Sequence, residues 1–98
     1  MKRKIYPAVY IMANKKNGTL YVGVTGNLSK RVWEHKNMLT KGFTARYQCH
    51  HLVYFEPFDE MEPAIEREKQ IKAGSRKKKI ELIEGTNAEW QDLYEMII

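Results

Sequence analysis

Pro7-Ala8-Val9-Tyr10-Ile11-Met12-Ala13, then Asn14-Lys15-Lys16-Asn17-Gly18, then Thr19-Leu20-Tyr21-Val22-Gly23-Val24 is the stretch that decides the fold. Two runs rich in Val, Ile and Tyr flank a polar segment whose Asn-Gly pair suits positive φ, so the stretch reads as a β-hairpin. Strand alternation sets Tyr10 with Ala8 and Met12, and Tyr21 with Thr19 and Gly23. Cross-strand tyrosines normally pack, but Gly23 lets a ligand or a neighbouring backbone come close.

Outward from the hairpin, Gly26-Asn27 turns the chain, and Leu28, Val32, His35 and Leu39 recur at steps of four, three and four. That spacing predicts a helix from about Ser29 to Leu39. Thr40 to Tyr47, with Gly42 inside it, reads as irregular, and Leu52-Val53-Tyr54-Phe55, bounded by Pro57, as a buried third strand. Asp59-Glu60-Met61-Glu62-Pro63 opens a second helix that Gly74 stops. Ser75 caps a third that Gly85 ends, and Asn87 caps a short terminal helix carrying Trp90, Leu93 and Tyr94. The order β-β-α-β-α-α-α is that of an α+β domain spanning residues 1–98, a small, mostly antiparallel sheet with helices packed against it.

A chain of 98 residues supports only a thin core. With 43% apolar and 30% charged residues it has the balance of an ordered soluble protein. Seventeen Lys and Arg against twelve Asp and Glu leave a net charge of +5, which attracts polyanions without demanding them. The apolar stretch Ile5 to Ala13 follows a basic start, but it is short, holds Pro7 and runs into Asn14-Lys15-Lys16, unlike an export signal. No apolar run approaches the roughly 18 residues of a membrane span, so a soluble, cytoplasmic location without membrane contact is expected. Cys49 is the only cysteine, which excludes an internal disulfide.

Several polar residues fall where a core would prefer apolar ones. Ala64, Ile65, Glu68 and Ile71 share one stripe of the second helix, so the Glu68 carboxylate points towards the sheet. Two readings follow: a carboxylate that holds a divalent metal, or one at the edge of the stripe paired with a lysine or arginine. Arg31 and His35 are four apart on the first helix and could reach one anion, the guanidinium gripping a phosphate and the imidazole exchanging a proton near neutral pH. Each is also a residue commonly found as a solvated arginine or a structural histidine. Cys49-His50-His51 has metal-ligand types but no second cluster to complete a zinc site. Arg76-Lys77-Lys78-Lys79 is a basic run at a helix start, either a backbone-phosphate contact or a solvated face. Trp33 and Trp90 could stack on bases or fill the core.

Val9-Tyr10, Tyr21-Val22-Gly23-Val24-Thr25, Leu28, Arg31 and His35 together resemble the GIY-YIG nuclease signature: a Gly-Ile-Tyr strand, a Tyr-Ile-Gly strand about ten residues later, and a helix bearing Arg and His. Phe43-Thr44-Ala45-Arg46-Tyr47, Leu52 to Glu56, Ala64 to Lys72 and Asn87 to Leu93 are similar to small stand-alone bacterial members, often labelled excinuclease-subunit-like or uncharacterised. Ala8 replaces the usual glycine and Val22 the isoleucine, each still a small or β-branched strand residue.

The resemblance implies a three-stranded sheet flanked by helices, with the active site on one face. It makes Tyr10 and Tyr21 the signature tyrosines, Arg31 the phosphate-gripping arginine, His35 its companion and Glu68 the metal ligand. Arg46, Tyr47, Arg76, Lys77 and Lys78 are expected to bind nucleic acid, and Asn87 to be an accessory residue or only a helix cap. The implied reaction is phosphodiester hydrolysis of DNA, in repair or processing, with one carboxylate holding magnesium or, alternatively, manganese. The general base stays open between Tyr10, Tyr21 and His35, since a phenol with a reference pKa of about 10 needs a nearby cation to ionise near neutrality. The rival readings are a non-catalytic nucleic-acid-binding module and a partner-dependent interaction domain. A homodimer would help grip duplex, though no pattern argues for one.

Overall fold

The computed structural model describes residues 5–39, 42 and 46–98, so Phe43, Thr44, Ala45 and the basic start lie outside the described residues. Strands β1 (Ala8–Ala13), β2 (Leu20–Thr25) and β3 (His51–Pro57) form a sheet of order β2-β1-β3 with both pairings antiparallel. Helix α1 (Leu28–Lys36) follows the hairpin, and α2 (Met61–Ala73) and α3 (Arg76–Thr86) follow β3. The α+β class and the element order hold. The last helical element is a single 3-10 turn, Tyr94–Met96, rather than a helix begun at Asn87.

The hairpin forms where the Asn-Gly pair places it. Asn17 has φ 58°, and a Cβ on Gly18 would stand 2.0 Å from Asn14 Oδ1, so only glycine fits there. Asn27 begins α1 by accepting from the Lys30 amide, and Ser75 begins α3 by accepting from the Lys78 amide. Gly74 ends α2, whereas Gly85 lies within the last turn of α3.

All six residues of β1 are buried, because both faces of this central strand are covered. Val9, Ile11 and Ala13 face α2 and α3 through Val22, Ala64, Ile71 and Ile83. Tyr10 and Met12 face α1 and the C-terminal segment through Val32, Leu52, Leu93 and Tyr94. Ile11 pairs with Tyr54 and Met12 with Leu52, leaving Val53 as the extra residue of a bulge that turns it towards the α2 side.

The terminal segment is tied to β3 by polar contacts. Leu93 donates its amide to the Leu52 carbonyl at 2.7 Å, and the Leu52 amide donates to Asp92 Oδ1 at 3.1 Å. Asn87, buried at the end of α3, donates from Nδ2 to the carbonyls of Val53 at 3.1 Å and Gln91 at 2.8 Å, and accepts from the Gln91 amide at 2.9 Å. Through these contacts Asn87 ties the end of α3 to β3 and to the tail. Among the described residues no helix is long and apolar enough to cross a membrane.

Candidate active site

Tyr10 and Tyr21 project from the same face of the sheet, Tyr10 opposite Gly23 and Tyr21 opposite Met12 in the hairpin register. His35, on the buried side of α1, closes a triangle with them. Its ring centre lies 5.6 Å from each tyrosine, and the two phenol rings are 6.2 Å apart. The Tyr10 hydroxyl and His35 Nε2 share a buried hydrogen bond of 3.0 Å. Gly23 makes this possible: a Cβ there would lie 2.6 Å from Cζ and Oη of Tyr10. The close approach anticipated at this glycine is therefore that of the tyrosine ring itself.

Burial sets the protonation states. It pushes the Tyr10 phenol above its usual range, reinforced by Tyr21, Glu34 and Glu68 and opposed by Arg31. Burial, aided by the Arg31 charge, pushes His35 down to about 4. Near neutral pH these surroundings alone leave both groups uncharged.

This bears on stability with a definite sign. The unfolded chain protonates His35 near 6.5, whereas the folded chain resists until about 4. The contribution is complete above the upper value and is lost as the pH falls through this window, by up to about 3 kcal/mol at 1.36 kcal/mol per pH unit. Thermal melts at pH 7 and 4.5 are expected to show a larger loss in the wild type than in His35→Gln; equal losses would refute the assignment.

Arg31 sits one turn before His35 on the exposed side of α1, its Nη1 3.6 Å from Glu34 Oε1, and its charge acts on both Tyr10 and His35. Glu68 comes from α2, which packs against β1 and β2 from the opposite face. Its side chain is only 15% exposed and forms an i,i+4 ion pair with Lys72 at 3.2 Å, while its charge is felt at the Tyr10 phenol. Of the two readings of Glu68, the pairing with a lysine is the contact seen, and the carboxylate charge still reaches the Tyr10 phenol.

The other expected binding residues are dispersed. Arg46 and Tyr47 are exposed and face each other, the guanidinium carbon 5.6 Å from the ring centre. Arg76 donates from Nη2 to the carbonyls of Asn17 at 2.8 Å and Gly18 at 2.7 Å, bracing the hairpin, which its place in a basic run could not announce. Lys77 and Lys78 are exposed on α3. Trp33 is also exposed, while Trp90 is buried, its Nε1 donating to Glu84. A second polar cluster that sequence reading missed lies beside α2: Glu56 accepts from Nε and Nη2 of Arg67 and from the Tyr54 hydroxyl. Nothing in the spacing of Glu56 and Arg67 links them before the helix is docked.

Residues 6–81 match the GIY-YIG catalytic domain, and the chain belongs to that family, whose domain is of nuclease type. It is similar to a UPF0213 protein of Staphylococcus saprophyticus, 40% identical over 68 residues that make up 69% of this chain and 83% of that one. A UPF0213 protein of Clostridium perfringens is 40% identical over 75 residues, 76% of this chain and 80% of that one. The solution NMR structure of a UPF0213 protein from Bacillus halodurans shares the fold with a TM-score of 0.56 and 26% identity, over 90% of this chain and 93% of that one.

Proposed function

We propose that this chain is a divalent-metal-dependent endonuclease that hydrolyses DNA phosphodiesters in the cytoplasm, in repair or processing. One observation carries the reading: Tyr10, Tyr21 and His35 close a triangle with ring centres 5.6 to 6.2 Å apart, and Arg31 stands one helical turn before His35 on α1. Among the described residues no three His, Cys, Asp or Glu cluster, which disfavours a zinc cage. A single carboxylate fits magnesium or manganese, ions that take one or two protein carboxylates and complete their shells with water and phosphate oxygens. Glu68 would hold such an ion, which when bound supplies positive charge to the phosphate group under attack.

The remaining chemistry falls to the chain's own groups. Arg31 offers the guanidinium that meets the phosphate oxygens where negative charge grows. The hydrogen bond between Tyr10 and neutral His35 fixes both rings and orients the pocket wall. Tyr21, only partly buried, is the hydroxyl best placed to meet the attacking water. The direct test incubates the purified chain with labelled single-stranded, duplex and branched DNA at low salt, with magnesium, with manganese and with chelator. Cleavage that requires the metal is expected; binding without cleavage in every condition would replace this reading by a non-catalytic module.

A further inference from the structure

Beside Tyr21, at the open edge of β2, a groove of about 910 Å3 runs between the β1–β2 turn and the junction of α2 with α3. Its cations are Lys15, Lys72, Arg76 and Lys79, and no Asp or Glu is among its described lining residues. Lys72 is paired with Glu68, but Lys15, Arg76 and Lys79 have no carboxylate within ion-pair distance among the described residues. Two of these three are held in place: Arg76 through Nη2 on the hairpin carbonyls, and Lys79 through Nζ on the Gly74 carbonyl at 3.1 Å. A guanidinium has five N–H donors and an ammonium three, so each keeps donors beyond those contacts.

We propose that this groove is the track for the nucleic-acid strand beside the scissile phosphate, its backbone phosphates contacting Lys15, Arg76 and Lys79. The proposal rests on the nuclease reading and extends it from the reacting phosphate to its neighbours. Tyr21 belongs both to the groove lining and to the candidate active site, so a strand held by the three cations passes this ring. Tyr21 is the groove's one aromatic lining residue among those described, which leaves no platform for stacking successive bases. Recognition through phosphates alone is blind to sequence and strongly dependent on salt. Lys69, exposed on α2, is not among the residues that line this track.

The test is the slope of log affinity against log salt for a labelled DNA, in chelator so that nothing is cleaved. Each phosphate contact contributes about 0.9 to the slope on duplex and about 0.7 on single strands. Lys15→Gln with Lys79→Gln should lower it by about 1.8 or about 1.4 respectively, and Lys15→Gln alone, which leaves the Lys79 contact with Gly74 intact, by about half as much. Lys69→Gln should leave it unchanged. A full wild-type slope in the folded Lys15→Gln protein, or a drop only in Lys69→Gln, would overturn the groove while leaving the nuclease reading intact. Wild-type protein that fails to bind DNA at low salt overturns the groove as well. Groove-dependent binding with no cleavage in metal would retain the groove and overturn the nuclease.

Discussion

Glu68→Gln is expected to lose DNA cleavage by on the order of 10³-fold while folding normally. Glutamine keeps the shape of the side chain and removes its charge. The Glu68 partner, Lys72, is half exposed and remains solvated when the pair is broken, so the melting temperature should stay close to that of the wild type. The loss should be accompanied by weaker manganese binding in calorimetry, a readout independent of turnover. Should the variant cleave at the wild-type rate, Glu68 would be no more than one half of a helix-surface ion pair, and the metal would have to be held elsewhere.

Gly23→Ala is expected to damage both fold and site. The new methyl would stand 2.6 Å from the end of the Tyr10 ring, a separation that real contacts do not show. Tyr10 has little freedom to yield, since it is 2% exposed on the central strand and its hydroxyl is bound to His35. Overpacking of this kind costs about 1 to 3 kcal/mol, and a displacement of about 1 Å in a catalytic group can cost about 10²-fold in rate. Gly26→Ala is the matched control, with nothing within 4 Å of its new Cβ. If Gly23→Ala melted and cleaved like Gly26→Ala, the tight ring-to-strand contact would not be a constraint on the site.

The contrast between these two glycines shows how far local sequence reaches. The hairpin was readable because Asn17-Gly18 states its backbone geometry in two letters, α1 because Leu28, Val32 and His35 repeat at helical spacing, and α3 because Ser75 is a cap whose chemistry is complete within one turn. Helical periodicity placed Glu68 on the inward stripe, but periodicity cannot say whether such a carboxylate meets a lysine or a ligand, and the structure pairs it with Lys72. The site aromatics were legible as members of a spaced pattern. Their mutual geometry was not: the bond from Tyr10 to His35 joins residues 25 apart and depends on which face of the sheet α1 covers. The terminal segment misled for a related reason. Asn87 has the chemistry of a helix cap, yet its amide group is committed to Val53 and Gln91, and Trp90 takes φ 57°, which no helix tolerates.

The two edges of the sheet are treated differently, and this bears on strand addition between copies of the chain. On β3 the chain's own tail occupies both polar groups of Leu52, blunting that edge against strand addition. On β2 no strand of the described chain pairs outward, so that edge keeps the hydrogen-bonding groups through which another copy could extend the sheet. Lys15, Lys72, Arg76 and Lys79 beside it would oppose an identical, equally cationic edge. The positive charge proposed to hold a polyanion would therefore also oppose pairing of two β2 edges, and variants that neutralise it are expected to aggregate more readily in light-scattering measurements.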